Sequence, residues 1–161
     1  MKRVLVISSS LRKDSNSEQL AVSFADGASS AGHEVELVSL RDKEIRFCVG
    51  CLACQKTQRC FMHDDADAIR EKMLYADVLV FATPIYYYEM SGILKTLLDR
   101  ANPLYSSNIV SVRYMPLQQQ PKMRNTFRKG LSQALRAGWT ALKRQNWSVH
   151  CSAVVSTIPE K

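Results

Sequence analysis

Four of the five cysteines in this chain fall within one short stretch, CVGCLACQKTQRC, residues 48–60. Cys48, Cys51, Cys54 and Cys60 have the spacing C-x₂-C-x₂-C-x₅-C. Its first three positions match the compact clip that holds [4Fe–4S] clusters in ferredoxins. Zinc sites more often use two C-x₂-C pairs well separated in sequence, with cysteines plus His63 as an alternative set here. A loop of reduced thiols, stiffened by packing, is the third reading. The four cysteines are candidate metal ligands, and spacing alone leaves cluster, zinc and free thiols open.

Two other stretches carry chemistry. SSSLRKDSNS (residues 8–17) offers hydroxyls, an Arg, a Lys, an Asn and backbone N–H groups at the start of a helix, which are the groups a phosphate dianion needs. A polar loop that merely caps a helix satisfies the same pattern. The stretch lacks both G-x-G-x-x-G and G-x-x-x-x-G-K, which argues against a dinucleotide fingerprint and an ATP–Mg²⁺ loop. TPIYYYEMSG (residues 83–92) sets three tyrosines side by side after an apolar run. They cannot all turn into a core, so some present an aromatic surface suited to a flat heterocycle while others cover a hydrophobic edge.

The elements that must position these stretches alternate. VLVIS (Val4–Ser8) is a short β-branched run of the kind buried in a parallel sheet, and a helix ending near Gly32 follows. EVELVSL (Glu34–Leu40) alternates charged and apolar residues as a half-exposed strand does. Asp64 and Asp65 are N-cap choices for a helix through Tyr75, DVLVFATP (Asp77–Pro84) is a second apolar strand, and Gly92 precedes the amphipathic ILKTLLDRA. This β-α-β-loop-α-β-α order implies an α/β fold, an open, flavodoxin-like doubly wound parallel sheet. In that fold the ligand sits at the carboxyl ends of the first and third strands. Those ends are the two loops just singled out.

Composition sets the surroundings. The 161 residues suit one domain, 46% are apolar, and no apolar run approaches the ~20 needed to span a bilayer. Val4 to Ile7 is too short for a signal-peptide core. The expectation is a cytoplasmic chain without a membrane partner, where thiols stay reduced.

The first and third-strand stretches together carry a resemblance. VLVISSSLRKDSNSEQL is similar to the phosphate-loop opening of the NADPH-dependent FMN reductase family, and ADVLVFATPIYYYEMSGILKTLLDRANPLYSS to its flavin-ring loop and following helix. The match covers roughly residues 1–107, an FMN-binding core. Departures are Ser9-Ser10-Leu11-Arg12, where family members often carry Gly-Ser-Pro-Arg, and Ser17 in place of Thr. The resemblance implies that Ser10, Arg12, Asn16 and Ser17, with Ser15 nearby, hold the FMN phosphate, and that Pro84, Ile85, Tyr86 and Tyr87 flank the isoalloxazine. It implies an NAD(P)H oxidoreductase in which FMN does the redox chemistry and no side chain acts as catalytic acid or base. Electrons would pass from a nicotinamide to a quinone, flavin, metal centre or redox-protein acceptor. Relatives that are iron–sulfur flavoproteins carry a compact four-cysteine motif at this place, whereas others with similar loops are plain FMN reductases. The resemblance also implies a homo-oligomer whose neighbouring subunit completes the flavin pocket. The rival of another class is a flavodoxin-type electron carrier without substrate turnover.

The last third reads differently. The net charge of +7 is carried entirely there: residues 1–107 hold 13 Lys+Arg against 14 Asp+Glu, and residues 108–161 hold 9 against 1. A nucleic-acid-binding tail would need aromatics interleaved with the charges, and Tyr114, Phe127, Trp139 and Trp147 have no regular spacing, so no nucleic-acid partner is expected. The next strand's first candidate is Ile109–Val112, with Pro116, three glutamines and Pro121 behind it. A reading-frame shift near Asn108 accounts for this. Pro121–Thr126 read one base out of frame permits the string EDEEH, and Trp139–Trp147 permits DCFEKAKL. Those strings resemble the acidic loop and amphipathic helix that relatives carry. A genuine divergent basic tail is the alternative. Sequencing the coding DNA tests the shift: we expect an alternative frame open from Asn108 to Trp147, and stop codons within it would refute the idea.

Overall fold

The structure, a computed structural model, describes residues 1–106 and the strand at 113–118. Arg3–Ser8 forms β1, buried from Val4 onward, as a central parallel strand with both faces covered must be. Helix α1 (Asn16–Ser30) follows, then β2 (Glu34–Ser39), a single helical turn α2 (Cys54–Thr57), α3 (Asp65–Tyr75) and β3 (Val78–Thr83). The short strands β4 (Ile85–Tyr86) and β5 (Glu89–Met90) lead to α4 (Gly92–Arg100), a 3₁₀ turn at Asn102–Ser106 and β6 (Arg113–Gln118).

All pairings in the main sheet are parallel, in the order β2-β1-β3-β6. The order reverses between β1 and β3, which makes this the flavodoxin-like doubly wound sheet that the alternation predicts. Alternate residues of the central strands feed two cores. Leu5, Ile7, Leu79 and Phe81 pack with Ile69 and Met73 of α3 and Leu94 and Leu97 of α4. Val4, Val6, Val80 and Ala82 pack on the other face with Ala21 and Phe24 of α1. β2 is an edge of the sheet among the described residues and is half-exposed as its alternation predicts, but its faces depart from that pattern: Leu37, which the alternation turns inward, is exposed and Val38 is buried. Gly32 follows α1 with a φ of +81°, the left-handed turn that glycine takes without strain after a helix. No helix among the described residues is long and apolar enough to cross a membrane.

The strand required beyond Ser107 lies at Arg113–Gln118, across Pro116 rather than ahead of it. Among the described residues it is the sheet's edge, where a proline is tolerated because one side of the strand donates no ladder bonds. The candidate strand at 109–112, and the rest of the segment assigned to a frame shift, lie outside the described residues.

One ion pair ties the long loop after β2 to the body of the protein. Asp64 caps α3 by accepting from Ala66 N at 3.0 Å. Its other oxygen accepts from Arg46 N at 3.1 Å and from Arg100 Nη1, at the end of α4, at 2.6 Å. Both side chains are almost wholly buried, 4% and 1% exposed. Burial opposes the Asp64 charge, but the Arg100 guanidinium and the two N–H groups outweigh it and hold its carboxyl below the usual range. A carboxyl shifted down stabilises the fold above its unfolded-state pKa, 3.8, and that stability is lost as pH falls through the folded value. Asp64→Asn keeps a capping oxygen and removes the charge. Acid denaturation followed by circular dichroism should show lower stability at pH 7 and a flatter loss below about pH 4; an unchanged acid profile would show that this pair carries none of it.

Candidate functional site

The two loops named from sequence meet at the carboxyl ends of β1 and β3, and buried hydroxyls hold them together. Ser9 N donates to Ala82 O at 2.9 Å. Ser91 Oγ, just before α4, lies 2.8 Å from Ser9 Oγ, and Ser91 N donates to Thr83 Oγ1 at 3.1 Å. All three side chains are buried. Removing the Thr83 hydroxyl would take from the buried Ser91 amide its partner, at a cost of about 1–3 kcal/mol, whereas the Ser9 and Ser91 hydroxyls each keep a second acceptor, Ala82 O and Ser9 O. Sequence reading passed over Ser9, Thr83 and Ser91. Their signal was present but weak: hydroxyl residues directly beyond two apolar strands, where aliphatic ones would close the core.

In the first loop, Ser15 caps α1, its Oγ accepting from Glu18 N at 3.2 Å. Asp14, just before it, takes a positive φ of 55°. Glu18 returns a carboxylate to Asp14 N at 2.9 Å and receives Arg41 Nη2 at 2.6 Å. The same Arg41 nitrogen reaches Arg12 O at 3.2 Å. Arg41, at the end of β2, therefore pins the loop from the side, and nothing in its sequence context announced it. Ser10 and Ser17 are buried, Arg12 and Asn16 exposed. Ser10 Oγ donates to Arg12 O at 3.2 Å. Among the described residues the Arg12 guanidinium, the Asn16 amide and the Ser17 hydroxyl carry no protein hydrogen bond, and Ser8 Oγ is buried without one. The structure thus gathers uncommitted donors, one of them cationic, at the start of a 15-residue helix.

In the second loop β4 and β5 form a two-residue hairpin, with Ile85 opposite Met90 and Tyr86 opposite Glu89. Its turn residues, Tyr87 and Tyr88, have φ of 45° and 73°. Positive φ at both central positions is the mark of a type I′ turn, which ordinarily demands Asn-Gly. Bulky residues held there are strained by about 1–3 kcal/mol each, and such strain concentrates at functional sites. Pro84 and Ile85 are half-buried. Tyr86, Tyr87 and Tyr88 are 58, 99 and 50% exposed. Tyr87 thus stands clear of the protein surface, while Tyr86 and Tyr88 remain about half covered.

The cysteine stretch folds as a tight coil after β2, with left-handed residues at Gly50, Leu52 and Gln58. That curl brings Cys48, Cys51, Cys54 and Cys60 to one small cavity, closed by Met62, Arg100 and Pro103. Burial pushes the Cys54 thiol up, and charge at Cys60, then at Cys48 and Cys51, would push it further, so the four share one electrostatic neighbourhood. Among the described residues no three metal-ligating side chains stand at ligand geometry. His63 is exposed and pairs with Asp67 at 3.1 Å instead of lining the cavity, which leaves a zinc set short of its histidine.

Strand order and the two joined loops at the reversal define a flavodoxin-like protein. The chain belongs to the NADPH-dependent FMN reductase family, whose model matches residues 2–135 and so runs past Ser107 into the basic segment. It is 37% identical over 102 residues to an iron–sulfur flavoprotein of Methanocaldococcus jannaschii, covering 63% of this chain and 53% of that one. It is 34% identical over 106 residues to an iron–sulfur flavoprotein of Methanosarcina thermophila, covering 66% and 56%. The chain spans about half the length of these curated relatives. The NAD(P)H:quinone oxidoreductase of Methanothermobacter marburgensis superimposes with a TM-score of 0.69 at 17% identity, covering 94% of this chain and 83% of that one, and so shares the fold.

Strain in the hairpin is directly testable. Replacing Tyr87-Tyr88 by Asn-Gly supplies the residues a type I′ turn prefers, and urea denaturation should show a gain of about 1 kcal/mol or more. A loss of stability would mean that the tyrosines support the fold and the turn is not strained.

Proposed function

We propose that this chain is an FMN-dependent NAD(P)H oxidoreductase passing electrons from a nicotinamide to a quinone, flavin or metal-centre acceptor. The observation that carries this reading is the pairing of uncommitted phosphate donors at α1 with an exposed, strained aromatic hairpin, joined by Ser9 and Ser91. Arg12, Asn16 and Ser17 would hold the FMN phosphate with Ser10, once its hydroxyl turns from Arg12 O, while the Ser15 hydroxyl stays committed to the helix cap. Pro84, Ile85, Tyr86 and Tyr87 would flank the isoalloxazine. FMN supplies hydride acceptance and electron release, so no side-chain acid or base is assigned. The protein's part is to fix the phosphate, present one ring face, and offer N–H groups of the Ile85–Tyr87 turn to the ring's polar edge. Nicotinamide and acceptor would use that face in turn, giving ping-pong kinetics. A second subunit would cover the exposed tyrosines, completing the pocket in a homo-oligomer.

A second cofactor is favoured by the convergence of four thiols on one cavity. Cys48, Cys51, Cys54 and Cys60 would hold a [4Fe–4S] cluster, supplying a one-electron relay, in keeping with the relatives named as iron–sulfur flavoproteins.

Arg12→Ala removes a charge-assisted bond worth about 1.5–3 kcal/mol, so FMN should bind roughly 10- to 100-fold more weakly by fluorescence titration. Riboflavin, which lacks the phosphate, should bind as before; equal weakening of both would displace the phosphate from this loop. Steady-state NADPH or NADH oxidation with an added quinone separates enzyme from carrier, and FMN-loaded protein that shows no turnover would leave the carrier reading standing.

A further inference from the structure

Arg100 ends α4 on its buried face, three residues after Leu97, where the apolar stripe calls for another aliphatic residue. Its side chain is 1% exposed. Nη1 donates to Asp64 Oδ2 at 2.6 Å and to Arg46 O at 3.0 Å, and Nη2 donates to Met62 O at 2.9 Å. These three acceptors lie on the segment that carries the cysteine coil and leads it into α3. The guanidinium also lines the cavity that the four cysteines share. Its Nε is buried without a hydrogen-bond partner among the described residues.

A buried cation is costly unless something needs it. Asp64 accounts for one edge of the fork and two carbonyls for more; a lysine would keep the charge at a single point, and an aliphatic residue would leave buried Asp64 without its cation. What neither supplies is a delocalised positive charge, held rigidly beside the cavity that the four cysteine thiols line, with Nε still uncommitted among the described residues. We infer that Arg100 is a positioning residue for the cysteine quartet: its fork clamps the coil through Asp64, Arg46 O and Met62 O so that the four thiols face one cavity. Its charge offsets the negative charge of a metal–thiolate centre bound there. The inference rests on the cluster reading of the cysteines and adds to it a residue outside the cysteine motif.

The test uses the full chain, as wild type, Arg100→Met and Arg100→Lys, each loaded with FMN and reconstituted anaerobically with Fe²⁺ and sulfide. FMN binding serves as the check on folding. Arg100→Met should lose iron to a chelator ~10–100-fold faster than wild type, the range for partners that orient metal ligands. Trypsin should cleave it faster at Lys56 and Arg59, within the coil, and its iron centre should reduce at a more negative potential. Arg100→Lys should recover the potential, because the charge returns, but only part of the chelator resistance, because the fork does not. A purely structural role would change cleavage in both variants and the potential in neither, and that result overturns the charge half of the inference. Wild-type iron retention and cleavage in Arg100→Met overturn all of it. If Arg100→Met fails to bind FMN, Arg100→Lys decides alone: unaltered chelator resistance refutes the clamp. A wild-type chain that takes up FMN but neither Fe²⁺ nor Co²⁺ refutes the cluster reading, and the tryptic rates then still decide whether Arg100 gathers the coil.

Discussion

The contact between Ser9 and Ser91 is the constraint on which the site depends. Parallel strands β1 and β3 deliver their following loops to the same edge of the sheet, but a sheet alone does not set how those loops lie against each other. At this edge the main-chain bond from Ser9 to Ala82 O extends the ladder by one step, and the 2.8 Å hydroxyl contact then joins the first loop to the residue that begins α4. Because the hydroxyls are shielded from water, misalignment costs them their shortest bond with no water to replace it, and the geometry is enforced more sharply than an apolar contact would enforce it. The helix start at Asn16 and the tyrosine hairpin are held in one frame as a result.

Helix α4 extends that frame to the cysteines. Ser91 sits at its beginning and Arg100 at its end, so a rod of nine residues, about 14 Å long, has one loop system fastened at each end. Leu94 and Leu97 seat the rod on Leu79 and Phe81, which makes the central strand the common reference for both. The fastening differs at the two ends for a physical reason. Loops of small residues can be closed by hydroxyl contacts. The cysteine coil has little apolar surface turned inward, with Phe47, Val49, Leu52 and Phe61 all exposed, and it is held by charge and by main-chain carbonyls instead.

Much of this was legible in the residues themselves. The unbroken apolar runs of β1 and β3 and the alternation in β2 specified a parallel sheet, and the Asp64-Asp65 pair placed the start of α3 to within one residue. The site was legible only where chemistry is local: hydroxyls and cations before a helix, tyrosines after a strand, cysteines at close spacing. What could not be read was every contact between segments far apart in sequence. Ser9 with Ser91, Arg41 with Glu18, and Arg100 with Asp64 join residues whose types are unremarkable until the fold makes them neighbours. Arg100 offered the best clue, a charge where the helical period places a core position. The strand across Pro116 shows the opposite failure, since a proline suggests a break and an edge position accommodates it.

The strained turn and the uncommitted donors lie at the same edge, and this follows from how such a fold divides its tasks. Its interior satisfies itself: both faces of β1 and β3 are covered and their ladders paired, so stability is supplied away from the loops. That leaves the loops free to violate local preference. Tyrosine at positive φ and, among the described residues, a buried Ser8 hydroxyl left unpaired each lower stability by amounts the core can carry, while the exposed Arg12 guanidinium and Asn16 amide are left to water. Concentrated at one edge, they describe a surface shaped to be completed by something other than this chain's own side chains.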